Sequence, residues 1–221
     1  MKKIIFSAFA ILVFGLTNAQ DNKTDVKVNK TTFGIKGGMN IANLSGDVDT
    51  DLGKLKSKTG FNFGLFVDLR QSEKISIQME LLYSTQGAQI KINESSGGYV
   101  VTGHDKLNLA YLNIPIMLKF YASDKFTIEV GPQIGFLISA KEKYSIEDNQ
   151  GNSESYTHDV TEDFQNADFG LNFGIGLDIT NKINANFRYN LGLSNIVYSV
   201  YGDDTNVKNS VISISLGYKL N

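Results

Sequence analysis

Two adjoining stretches of the chain alternate between apolar and polar residues along their whole length. This period of two constrains the fold more than any other feature of the sequence. The first stretch is 111–121 (YLNIPIMLKFY), and the second is 126–141, after a polar turn at 122–125. Because successive strand side chains point to opposite faces, each stretch predicts a β-strand with one apolar and one polar face. The short turn between them predicts an antiparallel hairpin.

The same alternation recurs along most of the chain and predicts eight strands in all. Their predicted ranges are 33–42, 59–70, 75–92, 106–121, 126–141, 167–180, 183–193 and 210–220. The predicted connections alternate strictly between long and short. The long ones are 43–58, 93–105, 142–166 and 194–209, and the short ones are 71–74, 122–125 and 181–182. Short turns at one end and long loops at the other are typical of outer-membrane barrels.

Two places break the regular pattern. Before Leu112 the apolar residues are at odd-numbered positions (Leu107, Leu109 and Tyr111), whereas from Leu112 onward they are at even-numbered positions. We therefore expect a bulge that shifts the register there. Pro132 lies inside a predicted strand but has no N–H to donate to a ladder, so we expect a bulge or irregularity there too.

One face of the predicted strands is almost wholly apolar, and the other carries charged and amide side chains. Aromatic residues of the apolar face lie near strand ends, as in the interfacial girdles of membrane barrels: Phe33, Phe61, Tyr83, Phe120, Phe126, Phe136, Phe169, Tyr189 and Tyr218. The polar face carries Lys36, Asp68, Arg70, Glu80, Lys119, Glu129, Asp178, Arg188 and Lys219. A dry soluble core would hold such charges only at a large cost per ion. An eight-stranded barrel is just wide enough for side chains to fill, so we expect a lumen plugged by ion pairs.

Composition excludes several classes of function. The chain has 221 residues, which suits one large β domain, and it has no Cys. Disulfides, thiol catalysis and thiolate metal sites are therefore excluded. A net charge of -2 lacks the basic footprint of a nucleic-acid-binding protein.

The first residues have the three parts of a secretory signal peptide. Met1, Lys2 and Lys3 form a basic segment, 4–16 is an apolar run, and 17–19 resembles a cleavage motif before Gln20. The apolar run is shorter than the ~20 residues of a spanning helix, which argues against an N-terminal anchor. The predicted organisation is a signal peptide at 1–19, a periplasmic tail at 20–32 and a barrel at 33–221.

These features together predict an all-β, eight-stranded antiparallel up-and-down transmembrane β-barrel in the outer membrane, with short periplasmic turns and long external loops. One alternative is a soluble periplasmic lipocalin-like barrel that binds an apolar ligand, which requires the apolar face to point inward. Another is a barrel enzyme acting on lipid or peptide at the outer rim. It requires an acid or base cluster at the loop end of the strands, and the sequence shows none.

Four stretches resemble the PorT-like outer-membrane β-barrel family of Bacteroidota: 111–121 (YLNIPIMLKFY), 129–136 (EVGPQIGF), 169–174 (FGLNFG) and 188–195 (RYNLGLSN). The junction between Ala19 and Gln20 is also typical of secreted proteins in that group. The resemblance covers essentially the whole mature chain and implies an eight-stranded outer-membrane barrel. One branch of the family works in protein secretion and gliding, but the motifs are structural and transfer no functional residue.

Three groups of side chains are candidates for chemistry. His104 and His158 could form a metal pair, although solvated loop histidines are the favoured interpretation. Glu80 and Glu129 could form a paired acid/base site, but a lumen ion network is favoured. The acidic segment 142–163 could bind Ca²⁺, yet it lacks the spacing of a calcium loop. We therefore assign no catalytic, cofactor-binding or metal-binding residue, expect no cofactor, and assign a structural lumen network: Lys36, Asp68, Arg70, Glu80, Lys119, Glu129, Asp178 and Arg188.

The expected function is a non-enzymatic one carried by the external loops, since loops on a rigid scaffold can vary freely. A structural, adhesive or assembly role fits this arrangement. The expected partners are outer-membrane lipid, the barrel-assembly machinery during insertion, and a protein at the external loops. No nucleic-acid partner is expected.

Overall fold

The computed structural model of the protein describes residues 30–46, 54–96, 99–148, 153–198 and 205–221. The predicted signal peptide and most of the predicted tail lie outside the described residues. The only helix in the described part is a single turn at Thr161–Asp163. No described helix has the length and apolar character needed to cross a membrane.

Within the described ranges the chain forms nine strands, and eight of them close into a ring. The strands are β1 (Lys30–Gly46), β2 (Lys54–Arg70), β3 (Ile75–Ser96), β4 (Tyr99–Tyr121), β5 (Phe126–Asp148), β6 (Ser153–Asp159), β7 (Ala167–Asp178), β8 (Ile183–Gly192) and β9 (Val207–Lys219). The ring runs β1-β2-β3-β4-β5-β7-β8-β9, and β9 pairs antiparallel with β1 to close it. The predicted eight-stranded antiparallel up-and-down barrel is thus confirmed.

The three short turns between described strands lie at one end of the barrel and close in the same way. The N–H groups of Gln71, Ala122 and Ile179 each donate to the carbonyl four residues later, at 2.9–3.0 Å. At the same end the N–H of Leu220 donates to the carbonyl of Phe33 at 2.8 Å. The predicted sorting of short connections to one end is therefore correct.

At the other end several strands continue well past their predicted limits. The ladder between β3 and β4 reaches Ser96 and Tyr99, and that between β4 and β5 reaches Val101 and Asp148. Much of the predicted loops 43–58, 93–105 and 142–166 is therefore strand. The ninth strand, β6, lies inside the last of these and pairs with β5 outside the ring. The prediction failed there because β6 has water on both faces, so no apolar alternation marks it.

The predicted register shift occurs next to Tyr111, but the extra residue lies on the partner strand. Ala110 pairs with Ser139 whereas Tyr111 pairs with Leu137, which leaves Ile138 of β5 as the insertion. The phase of β4 does not change, so Leu109 and Tyr111 both point into the lumen and are almost completely buried. The apolar residues before Leu112 are thus interior residues of the barrel.

No bulge forms at Pro132. The ladder with β4 has the same register on either side, at Gln133 and Val130, and Pro132 keeps its place opposite Leu171 of β7. The irregularity is a local gap in the β4–β5 pairing, as expected where a residue has no N–H to donate.

The orientation of the two faces decides between a membrane barrel and a soluble one. The outward residues Phe63, Leu118, Val130, Phe173 and Ile214 are 38–58% exposed, and Ile77 is half-buried. The inward residues Glu80, Lys119 and Arg188 are 0%, 3% and 5% exposed. The apolar side chains therefore point away from the lumen, which is the reverse of what a lipocalin-like barrel requires.

The outward apolar band matches the thickness of a membrane. On β1 it runs from Phe33 to Ile41, close to the 9–11 residues of a transmembrane strand. Phe61, Phe63 and Tyr83 form an aromatic cluster on this outer surface, with ring centroids 5.4–6.2 Å apart. Val67 alternates with the inward residues Phe66 and Asp68 and so belongs to the outer face, but it is buried because it is short and stands between Phe33 and Met79 on the neighbouring strands.

A cation placed in this band should destabilise the barrel. Leu65 is exposed on the outer surface beside Ile35 and Leu81, so Leu65→Arg would put a charge against acyl chains. We expect a loss of about 2–4 kcal/mol in unfolding free energy. Urea titration in phospholipid vesicles, read by the mobility of unheated samples on gels, measures it. Ser155→Arg on the exposed strand β6 is the control and should cost little; equal losses in the two variants would contradict the lipid-facing assignment.

Candidate functional site in the barrel lumen

The lumen is filled by side chains in successive layers. From the turn end toward the open end these are a partly exposed ion pair, an ionic cluster, a layer of amides and hydroxyls, and an apolar cap. A cavity lies beyond the cap at the external mouth. Each layer is built from inward positions of several strands, so it exists only when the ring is closed.

The ionic cluster is formed, in the part of the chain that the structure describes, by three cations and three carboxylates. Lys36 Nζ lies 3.2 Å from Glu80 Oε1, and Lys119 Nζ lies 2.9 Å from Asp68 Oδ2. Arg188 Nη2 lies 2.7 Å from Glu80 Oε1 and 2.8 Å from Glu129 Oε2. Arg188 of β8 therefore connects β3 and β5 across the lumen, and the cluster is neutral as a whole.

Glycines on the inner wall make room for these long side chains. A Cβ at Gly174 would lie 2.6 Å from Cγ of Arg188. A Cβ at Gly176 would lie 2.7 Å from Oε1 of Glu129 and 2.4 Å from Oγ1 of Thr127. The alternate glycines of β7 are thus required by the charged residues that lie against them.

Neutral donors complete the coordination of the carboxylates. Gln78 Nε2 donates to Glu80 at 2.5 Å, and Gln78 Oε1 accepts from Lys119 at 2.9 Å. Glu129 accepts from Asn186 at 2.9 Å and from Thr127 at 3.2 Å. Glu80 and Glu129 share one guanidinium and have almost no contact with solvent. The geometry therefore does not support the acid/base alternative, which needs a carboxyl that can reach a substrate.

Two of the eight residues assigned to the lumen network lie apart from this cluster. The guanidinium of Arg70 lies over the ring of Tyr121, 3.5 Å from its centroid, and donates to the carbonyls of Ser72 and Glu73 in the nearby turn. Asp178 pairs with Lys219 at 2.8 Å, and both are partly exposed. Cluster members are Lys36, Asp68, Glu80, Lys119, Glu129 and Arg188.

Above the cluster lies a layer of amide and hydroxyl groups. Asn62 Nδ2 donates to Asn40 Oδ1 at 2.7 Å, and Asn40 Nδ2 donates to Ser84 Oγ at 2.9 Å. On the other wall Asn190 donates to Asn172 at 3.2 Å. A void of about 40 Å³ remains between these groups, which is room for only a few waters. The lumen is thus too narrow at this level for a solute to pass.

An apolar cap closes the lumen toward the external side. Its buried residues are Leu44, Ala88, Leu109, Tyr111, Ala140, Phe164, Ile196 and Val207. Phe164 and Ile196 come from two connections that the backbone ties together: Gln165 N–H donates to Ile196 O at 2.8 Å, and Ile196 N–H donates to Val207 O at 2.9 Å. Sequence reasoning missed this layer, although the inverted phase of Leu109 and Tyr111 was a signal for it.

Beyond the cap a cavity of about 290 Å³ opens at the external mouth. Its lining is mostly apolar but includes the carboxylates of Asp105, Glu142 and Asp163. An acidic cluster therefore does exist at the loop end of the strands, where the sequence showed none. His104 and His158, predicted to lie in loops, are in β4 and β6. No group of three or more His, Asp or Glu among the described residues is arranged to hold a metal ion.

The ionic cluster predicts a large loss of stability when its central cation is removed. Arg188→Leu leaves Glu80 and Glu129 without their shared partner in a space that water hardly reaches. We expect a loss of about 3–5 kcal/mol in unfolding free energy, measured by urea titration in vesicles. Lys219→Met removes one member of the partly exposed pair and should cost no more than about 1 kcal/mol. A cost for Arg188→Leu as small as that of Lys219→Met would show that the cluster does not stabilise the barrel.

Comparison with known proteins identifies a family and several structures of similar architecture. The model of the family described as outer membrane protein beta-barrel domain matches residues 18–198. No curated protein matches the sequence. Solved structures that it resembles include Ail of Yersinia pestis with a heparin analogue, with 16% identity over 86% of this chain and 99% of that chain and a TM-score of 0.42.

Two further structures are similar to the chain. Neisserial surface protein A has 12% identity over 86% of this chain and 99% of that chain, with a TM-score of 0.48. Outer membrane protein W of E. coli has 15% identity over 88% of this chain and 100% of that chain, with a TM-score of 0.40. The strand ladders described above establish the fold.

Proposed function

The chain belongs to the outer membrane protein beta-barrel domain family, and on this premise we propose that it is a non-conducting, non-enzymatic barrel of the PorT-like type. Its role is structural, adhesive or assembly-related, and it is carried by the external strands and loops. The observation that carries the proposal is the filled lumen, which leaves the external surface as the place where the protein meets a partner.

The layers of the lumen support a scaffold rather than a channel. The ionic cluster, the amide layer and the apolar cap follow one another along the axis, and the void between them is about 40 Å³. Glu80 and Glu129 of the cluster are already paired and almost completely buried, so they have neither space nor solvent for a substrate. This arrangement favours rigidity over transport or lumen catalysis.

The strands that rise beyond the apolar band support an external role. β3, β4, β5 and β6 continue as a sheet above the barrel, and all residues of β6 are exposed. Tyr144 and Tyr156, paired across β5 and β6, are both exposed. Tyrosine is enriched in protein–protein interfaces, so this sheet has a composition suited to a protein partner.

The PorT-like assignment rests on the motifs named above, and the structure gives those motifs a physical role. Lys119 lies in the first motif, Glu129 in the second and Arg188 in the fourth, and all three belong to the ionic cluster. The resemblance thus lies in residues that hold the barrel together. Cleavage of the signal peptide before Gln20, insertion by the barrel-assembly machinery and contact with outer-membrane lipid belong to the same proposal.

The closed lumen predicts that the purified protein does not conduct. Reconstituted into planar bilayers in large excess over a conventional porin control, it should give no stable single-channel steps, because the described side chains fill the lumen. The measurement is the current at fixed voltage in molar KCl. Reproducible unitary conductance from the folded protein, identified by its unheated gel mobility, would contradict the scaffold proposal.

The external sheet predicts a function that can be removed without unfolding the barrel. Replacing residues 143–157 with a two-residue Asn-Gly turn shortens the β5–β6 hairpin above the apolar band. We expect the variant to remain in carbonate-extracted membranes but to lose the phenotype that a complete deletion gives in surface attachment or protein secretion. The matched control exchanges the exposed turn 122–125 at the opposite end for another polar turn. Full activity of the shortened variant would place the function elsewhere.

A further inference from the structure

The cavity at the external mouth has the size of a small ligand site. Its volume of about 290 Å³ is close to the lower limit of ~300 Å³ for ligand pockets in proteins. The walls come from β1, β2, β3, β4 and β5 and from the segment between β6 and β7. The cavity lies outside the apolar cap, so a ligand could reach it from the external medium without passing through the barrel.

The floor and most of the walls of the cavity are apolar. Leu44, Ala88 and Phe164 belong to the buried cap, and their cavity-facing surfaces form the floor. Leu55 and Leu107 extend the apolar surface up the walls. The free energy falls when an apolar group displaces water from such a surface. The cavity is therefore suited to an aliphatic or aromatic group.

Among the described residues that line the cavity, three carry negative charge and none carries a fixed positive charge. Asp105 on β4, Glu142 on β5 and Asp163 line the same cavity, and no Lys or Arg does so among the described residues. Burial, the charge of Asp105 and a hydrogen bond with Asp105 raise the pKa of Glu142, and the charge of Asp163 adds to this rise. His158, opposite Glu142 on β6, acts against this rise. The carboxylates thus repel one another, and a cation placed among them would relieve that repulsion.

We propose that this cavity binds a monovalent organic cation with a short apolar tail, such as a primary alkylamine, with the ammonium at Asp105, Glu142 and Asp163 and the tail on Leu55, Leu107 and Phe164. An ammonium offers three donors, which suits carboxylates placed around it. An anionic ligand is excluded by the charge of the rim, and a bare metal ion would leave the apolar floor unfilled. This inference goes beyond the proposed scaffold role and does not depend on which partner the external sheet contacts.

The test is a binding titration on the folded full-length barrel in nanodiscs of zwitterionic lipid. The probes are butylamine and hexylamine, with hexanol and hexanoate as matched neutral and anionic compounds. Methyl NMR of Ala88 and Leu107 reports on the cavity, and methyl groups of the lipid-facing Leu65 and Leu216 report on partition into the bilayer. We expect saturable shifts at the cavity in the low-millimolar range, with affinity rising roughly fourfold for each added methylene.

Charge and position are tested with conservative variants that leave the cavity volume unchanged. Glu142→Gln and Asp163→Asn should each weaken hexylamine several-fold and leave hexanol unaffected. Glu147→Gln, an exposed carboxylate on the same strand that does not line the cavity, should change neither. Unheated gel mobility verifies that each variant is folded.

Three results would overturn the proposal. They are equal affinity for hexylamine and hexanoate, an unchanged affinity in both Glu142→Gln and Asp163→Asn, and shifts that appear only at the lipid-facing methyl groups. The measurement uses purified protein and no partner, so its failure would leave the scaffold proposal standing. Conversely, a conducting barrel would not by itself remove the cavity.

Discussion

The structure depends on the ladder between β1 and β9, because that ladder turns a sheet into a ring. A strand edge within hydrocarbon would leave its N–H and carbonyl groups without partners, and each would cost several kcal/mol. With the ring closed, its described strands pair on both sides apart from local gaps such as the one beside Pro132, and the remaining backbone groups lie at the two ends, where water is available. Closure also creates the interior. Lys36, Glu80 and Arg188 come from β1, β3 and β8 and meet only because the first and last strands of the barrel are neighbours.

The interior of the barrel contains charged side chains, which the core of a soluble protein usually excludes. Its walls are lined with charges, and the surrounding lipid cannot solvate them. Every charge in the ionic cluster therefore has an opposite charge nearby. Arg188 serves two carboxylates because its planar fork can donate in two directions at once. The glycines of β7 allow this because β7 lies between β5 and β8, and its missing side chains leave space for Glu129 and Arg188 to meet. Local backbone composition and long-range electrostatics are therefore parts of one arrangement.

The sequence was most informative where the two sides of a strand face different media. Between Phe33 and Ile41 one side contacts lipid and the other the lumen, and the alternation revealed both the strand and the direction of its side chains. The same signal placed the six members of the ionic cluster inside. It could not show that Arg70 would bend toward a turn, since an inward position does not determine a partner. Pairing depends on distances that only the closed ring sets.

Where both sides of a strand face water, apolar and polar residues do not alternate. The sequence then contains no signal from which the strand can be predicted. Strand β6, whose residues are all exposed, was taken as loop for this reason. The apolar cap was missed for another: Phe164 and Ile196 lie in separate connections and become neighbours through the backbone bonds at Gln165 and Val207. No periodicity within either connection reports such a contact. The acidic rim of the mouth was hidden likewise, because Asp105, Glu142 and Asp163 are far apart in the chain.

The single extra residue in β5, Ile138, sets the direction of everything that follows it in that strand. Below it the odd-numbered residues, such as Glu129, point to the axis; above it the even-numbered Ala140 and Glu142 do. The lower part of β5 therefore lines the lumen with odd-numbered residues, and its upper part lines the cap and the mouth cavity with even-numbered ones. A single extra residue causes the change. A one-residue insertion or deletion here would reverse which residues of the upper strand point to the mouth cavity and which point outward. The lower part of the barrel would keep its register. Length variation at this point is therefore a way in which a barrel of this type could change the residues that line its external mouth without changing the register of its membrane-spanning strands.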